Sequence, residues 1–176
     1  NKIMNHAIKA DLEANSQGMS WYEQAYIEAV TLSLASNYSI RQCVGVLAAL
    51  SPNNKWERNK IDAGNFLAAP SLDTKVCTFM NQRKKALKIL LVDTNEEIEA
   101  ILSGTKTKNF YHNILYFDSS KRVTVDMWAY RSVDLEPKKK YYNIIQAAYK
   151  NVAKDLEILP HQLQAIVWGV VRGSLV

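Results

Sequence analysis

The chain has 176 residues, with 22 Lys and Arg against 17 Asp and Glu and a net charge of +5. At 48% apolar and 22% charged residues it is too apolar for a disordered chain and long enough to bury a core without staples. Two cysteines, Cys43 and Cys77, exclude a disulfide framework and an all-cysteine metal site, and no apolar run reaches the roughly 18 residues of a membrane span.

These numbers fit one domain over residues 1–176, or one domain with a small helical lobe, and a monomer with no membrane partner is expected. With no visible signal peptide and few cysteines, a reducing cytoplasmic compartment is expected. A pI near 9.1 suits a polyanionic partner, because neutralising phosphates releases counterions. The positive charges gather at Arg83-Lys84-Lys85-Lys88, Lys106-Lys108, Lys121-Arg122 and Lys138-Lys139-Lys140. Taken singly, each cluster reads as a solvated helix face.

In chain order, helix signals dominate. Ser20-Trp-Tyr-Glu23, Ser39-Ile-Arg-Gln42 and Thr94-Asn-Glu-Glu97 each read as a capping box that opens a helix. Tyr22, Ala25, Tyr26, Ala29, Val30 and Leu34 recur at helical spacing, which predicts a helix over 20–37. Segment 40–50 is apolar nearly all round and predicts a central buried helix that ends at Ser51-Pro52. Further helices are predicted over 55–68, 79–92, 95–102, 106–117, 127–133, 138–153 and 160–172, punctuated by Pro70, Gly104, Pro137 and Pro160. Val123-Thr124-Val125 is the one strongly β-prone run, too short for more than an extended link. The class is all-α.

Three segments carry the chemistry. The helix containing Lys85-Ala86-Leu87-Lys88-Ile89 leads through a capped helix to Ser103-Gly104-Thr105-Lys106-Thr107-Lys108, and a second helix begins there. Two short helices joined by a tight glycine turn expose backbone N–H groups suited to a DNA phosphate. Asp126 then stands at the start of the helix running to Arg131, where aspartate caps well. A lysine and a carboxylate in one cleft would make a nucleophile and a charge stabiliser.

These residues resemble the helix-hairpin-helix DNA glycosylase superfamily. Leu50-Ser51-Pro52-Asn53 is similar to its Leu-Ser-x-Gln loop, and Lys85-Ala86-x-x-Ile89 to the helix before its hairpin. Gly104 falls on the first hairpin glycine, Lys108 on the Schiff-base lysine of lyase-competent members, and Asp126 on the aspartate of Val-Asp-x-x-x-x-Arg. There are departures: Lys106 stands at the second hairpin glycine, Ser103 at a usual proline and Trp128 at a frequent histidine, and the iron–sulfur cysteines are absent.

The resemblance implies two helical lobes with a cleft and a hairpin over about residues 95–117. It also implies DNA contacts from Gly104, Thr105, Lys106, Thr107, Asn53, Asn54 and Arg131, with Asp126 and Lys108 catalytic. The partner would be DNA, the location nucleoid-associated and the cofactor none, beyond a monovalent cation at the hairpin. Asn53, Asn54 and Trp56 would fill the gap left by a flipped nucleotide, or else Asn54 caps the next helix and Trp56 packs on the core. Arg58, Asn59 and Asp62 are read as DNA contacts or plain surface, and His6 and His161 as incidental. Three scattered histidines make no metal site. The activity implied is an N-glycosylase, with or without lyase function. A phage-type enzyme that joins an amine or amino acid to an activated thymine keeps the same fold, as does a non-catalytic basic DNA-binding module.

Overall fold

Helix α3 (Ile40–Leu50) is the segment around which the middle of the chain is built: every residue from Cys43 to Leu50 is buried. Beyond Gln42 it carries no charged, hydroxyl or amide side chain, so no face of it seeks water. Its start is the predicted capping box, with Ser39 Oγ accepting from the Gln42 amide at 3.3 Å and Gln42 Oε1 from the Ser39 amide at 2.9 Å.

The computed structural model describes residues 1–173, and among them it is helical with no strand. The chain divides into two compact units. Among the described residues one runs from Ala25 to Leu115, and the other combines Asn1–Gln24 with residues 116–173. The division falls inside helix α2 (Leu12–Ala35).

In the Ala25–Leu115 unit, α3 packs on α4 (Trp56–Ala68), α5 (Met80–Ile89), α6 (Asn95–Ile101) and α7 (Thr105–Leu115). Gly45 permits the closest approach. A Cβ there would lie 2.8 Å from Ile89 Cγ2 and 3.0 Å from Ile98 Cγ2, so the α3 backbone seats α5 and α6 directly.

In the other unit, α10 (Pro160–Arg172) packs on α1 (Lys2–Lys9), α8 (Met127–Arg131) and α9 (Tyr142–Asp155). Ile3, Val123, Ile145, Tyr149, Val152 and Leu163 make the heart of its core. Gly18 of α2 meets α10 at backbone contact, since a Cβ there would stand 2.6 Å from Ile166 Cα.

The predicted helices recur with shifted ends, and two differences have physical causes. Ser20 does not start a helix. It lies inside α2, its hydroxyl donates to Ser16 O at 3.0 Å, and Asp11 caps the true start by accepting the Ala14 amide at 2.7 Å. A Ser-x-x-Glu pattern is as compatible with mid-helix as with a cap when the preceding residues can also be helical. Likewise α4 begins at Trp56 after Lys55, with no side-chain cap from Asn54.

His161 is not incidental. Its ring is fully buried, with Nε2 2.8 Å from Phe117 O and Nδ1 3.1 Å from Ser120 O, and it packs T-shaped against the ring of Tyr22. The neutral ring donates to one carbonyl; only the protonated ring donates to both. Burial pushes the imidazole below its ordinary range, and the Phe117 and Ser120 carbonyls with nearby Asp118 pull it part of the way back.

The folded chain therefore resists a proton that the unfolded chain takes up near pH 6.5. Stability attributable to His161 is present above that pH and falls as the pH drops through the lower folded value. Urea unfolding at about pH 7.5 and about pH 5 should show a lower midpoint in acid, with a smaller drop in His161→Gln. An equal drop in both proteins would place the acid sensitivity elsewhere.

Candidate nucleic-acid interface

The hairpin is built by α6, the three residues Leu102, Ser103 and Gly104, and α7. Thr94 Oγ1 accepts the Glu97 amide at 3.3 Å, and Glu97 Oε2 accepts from the Thr94 amide at 3.2 Å and hydroxyl at 2.7 Å. Those bonds, led by the one from the Thr94 hydroxyl, hold the Glu97 carboxyl below its ordinary range. Buried Leu102 then stops α6, and Ser103 and Gly104 turn the chain into α7.

Gly104 has φ +81°, a left-handed conformation that glycine adopts without steric cost. Positive φ outside glycine occurs, among the described residues, at Asn53, Asp134 and Glu157, so Lys106 keeps ordinary backbone geometry. The turn closes with one glycine.

The Lys108 amide donates to Gly104 O at 3.2 Å, the first bond of α7. The amides of Thr105, Lys106 and Thr107 precede it and have no acceptor within the helix. Ser103 through Lys106 are exposed, while Thr107 and Lys108 are half-buried. Behind them Asn109, Tyr111, Asn113 and Ile114 are buried, and the Tyr111 hydroxyl donates to Asn95 Oδ1 at 2.9 Å, tying α7 to the start of α6. Lys85 of α5 donates to Ser103 Oγ in the turn.

Asn53 and Asn54 lie in the same unit, at the end of α3. Asn53 is exposed with φ +57°. Asn54 is a strut: its Nδ2 donates to Asp62 Oδ2 at 2.9 Å and to Leu50 O at 3.4 Å. Asp62, expected at the surface, is fully buried and also accepts from Arg58 Nε at 2.8 Å and from the Cys77 amide at 2.7 Å. Asn59 is buried too, donating to Leu47 O at 2.9 Å. The Arg58 guanidinium is held above its ordinary range, chiefly by its hydrogen bond to Asp62. Trp56, after this loop, meets Phe110 of α7 edge-on at 6.3 Å between ring centres.

Asp126 and Arg131 belong to the other unit. Asp126 is the N-cap of α8, its Oδ1 accepting from the Ala129 amide at 2.9 Å. The extended link before it is pinned by α9. The Tyr142 hydroxyl donates to Val123 O at 3.1 Å and accepts from the Val125 amide at 3.3 Å, while Gln146 Oε1 accepts from the Val123 amide at 3.3 Å. Behind α8, Ser132 Oγ donates to Ala129 O at 2.8 Å, so its 2.9 Å bond with the Tyr149 hydroxyl is donated by the tyrosine. Burial, with the Asp126 charge adding to it, pushes the Tyr149 hydroxyl well above its ordinary range. Arg131 stacks its guanidinium over Trp128, 4.5 Å from the ring centre.

Lys85, which reasoning from sequence left outside the contact set, thus reaches the turn that leads into Thr105, Lys106, Thr107 and Lys108. Among the described residues no group of His, Cys, Asp and Glu could hold a metal ion, and no helix is long and apolar enough to cross a membrane.

The sequence profile of a family of unknown function, DUF7178, matches residues 1–175. No curated protein matches the chain, and no solved structure does.

Two substitutions test this geometry through stability. Gly104→Ala meets no neighbouring atom, so its cost is backbone strain alone, about 1–2 kcal/mol by chemical denaturation. Asp62→Ala leaves the Asn54 amide and the Cys77 N–H without their acceptor and should cost about 2–4 kcal/mol. A neutral Asp62→Ala would contradict the strut role of Asn54.

Proposed function

The chain belongs to the DUF7178 family, and for it we propose a DNA-acting role of the helix-hairpin-helix glycosylase type: an N-glycosylase with lyase capacity. The observation that supports this best is the hairpin itself. A glycine turn with φ +81° leads into a helix whose first amides have no helical acceptor, flanked by Lys106 and Lys108. Amides and lysines of this kind hold a strand by its phosphates and leave base recognition to other residues. A monovalent cation would brace the turn, and Gly104 O keeps a lone pair for it after accepting the Lys108 amide.

In this reading the target nucleotide is flipped out of the duplex. Lys108 attacks C1′; the C1′–N bond breaks, and the base departs with its electron pair and receives the proton that Asp126 relays from the attacking amine. Asp126 stabilises the positive charge that develops on the sugar and takes the proton from the attacking amine. Two features support these roles. Lys108 is held in no ion pair among the described residues. Asp126 is anchored by the Ala129 amide at a link that α9 pins from behind. A second role keeps the fold and uses the same carboxylate as the base towards an amine joined to an activated thymine. Lys106 in place of the second glycine favours it by adding charge to the phosphate grip.

Incubation with DNA bearing damaged or modified bases, followed by mass spectrometry of the nucleosides, separates these outcomes. A glycosylase releases free base, and borohydride traps wild type but not Lys108→Gln on the DNA. Asp126→Asn, which keeps a capping oxygen, should lower turnover by about 100-fold or more while leaving stability nearly unchanged. A heavier nucleoside would instead select the base-modifying role. Unaltered DNA with all substrates would leave only binding and overturn the enzymatic proposal.

A further inference from the structure

Helix α5 reads Met-Asn-Gln-Arg-Lys-Lys-Ala-Leu-Lys-Ile and contains no acidic residue. Lys84 and Lys88 are exposed one helical turn apart, a spacing at which like charges repel. Nothing on their own helix offsets that repulsion. Lysines elsewhere do hold carboxylates: Lys2 with Asp134, Lys60 with Glu57 at 2.9 Å and Lys138 with Glu136 at 3.2 Å. Among the described residues Lys84, Lys85, Lys88, Lys106 and Lys108 hold none. Glu96 and Glu97 sit in the first turn of α6, where they complement that helix's own positive end.

Lys85 is the joint between the two sets, because its ammonium donates to Ser103 Oγ in the hairpin turn. The neighbouring Arg83 marks where the surface ends. Its guanidinium turns in to donate to Leu72 O at 3.0 Å and Val76 O at 3.4 Å, so it fastens the loop before α5.

We infer that Lys84, Lys85 and Lys88 continue the hairpin into one phosphate-binding face, so that nucleic acid is gripped at successive phosphates along α5 and α7. This extends the DNA-acting reading above and rests on it. The partner class follows from charge density. Duplex DNA carries one negative charge per about 1.7 Å of axis and can meet several lysines of an extended face at once, whereas a single small phosphate meets one or two. Unpaired, mutually repelling lysines gain most from such a partner, since binding relieves their repulsion as it releases counterions.

The test is fluorescence anisotropy with a labelled duplex of roughly 20 base pairs, from about 50 to about 200 mM salt. Wild type, Lys85→Gln and the double variant Lys84→Gln with Lys88→Gln are compared, with circular dichroism to establish equal helix content. The plot of log affinity against log salt should become shallower by about 0.9 for the single variant and about 1.8 for the double variant, on unrelated sequences alike. Wild-type binding with an unchanged slope in the double variant would overturn this inference and leave the hairpin grip standing. Absence of any salt-dependent binding by wild type would overturn the DNA reading itself, and the inference with it. Binding to phosphatidylserine vesicles without binding to DNA would do the same.

Discussion

A helix with no face for water organises the Ala25–Leu115 unit. Because α3 is buried on every side from Cys43 to Leu50, neighbouring helices must surround it. Gly45 then sets how close they come: Ile89 of α5 and Ile98 of α6 rest against its missing side chain. A larger residue there would displace both helices, and with them Lys85 and the hairpin turn that Lys85 touches. The hairpin's exposed amides are thus a consequence of apolar packing several residues away. Core contact positions α5, α6 and α7, and their outward groups inherit that placement.

In the other unit the organising element is a set of hydroxyls. Tyr142 holds both ends of the Val123–Val125 link, and Tyr149 with Ser132 supports α8 from behind. Asp126 is therefore more than a capping residue on a free helix of five residues, which would fray in water. Its position is specified by α9. That fixed position is what supports the acid–base role proposed for it, and Lys108, proposed as the nucleophile, is half-buried and in no ion pair among the described residues.

What was legible in the sequence was whatever depends on local pattern. The apolar run of α3, the capping boxes at Ser39 and Thr94, the glycine turn at Gly104 and the cap at Asp126 are each decided within a few residues, and each is present. What was not legible depends on residues far apart in the chain. Asp62 reads as a surface charge on a helix until the amides of Asn54 and Cys77 are brought to it. His161 reads as a lone histidine until the Phe117–Ser120 turn arrives against its ring. Ser20 misleads for the opposite reason, since its capping pattern is genuine but α2 has already begun at Leu12. The Lys85 to Ser103 bond spans two helices, and no periodicity signals it.

The central claim is that the turn at Gly104 is where DNA is held. Its most direct measurement is a titration of nitrogen-15 labelled protein with a short duplex, following the backbone amide resonances. The amides of Gly104, Thr105, Lys106 and Thr107 should move first and furthest, and added salt should return them towards their free positions. Resonances that move elsewhere while these four stay fixed would contradict it.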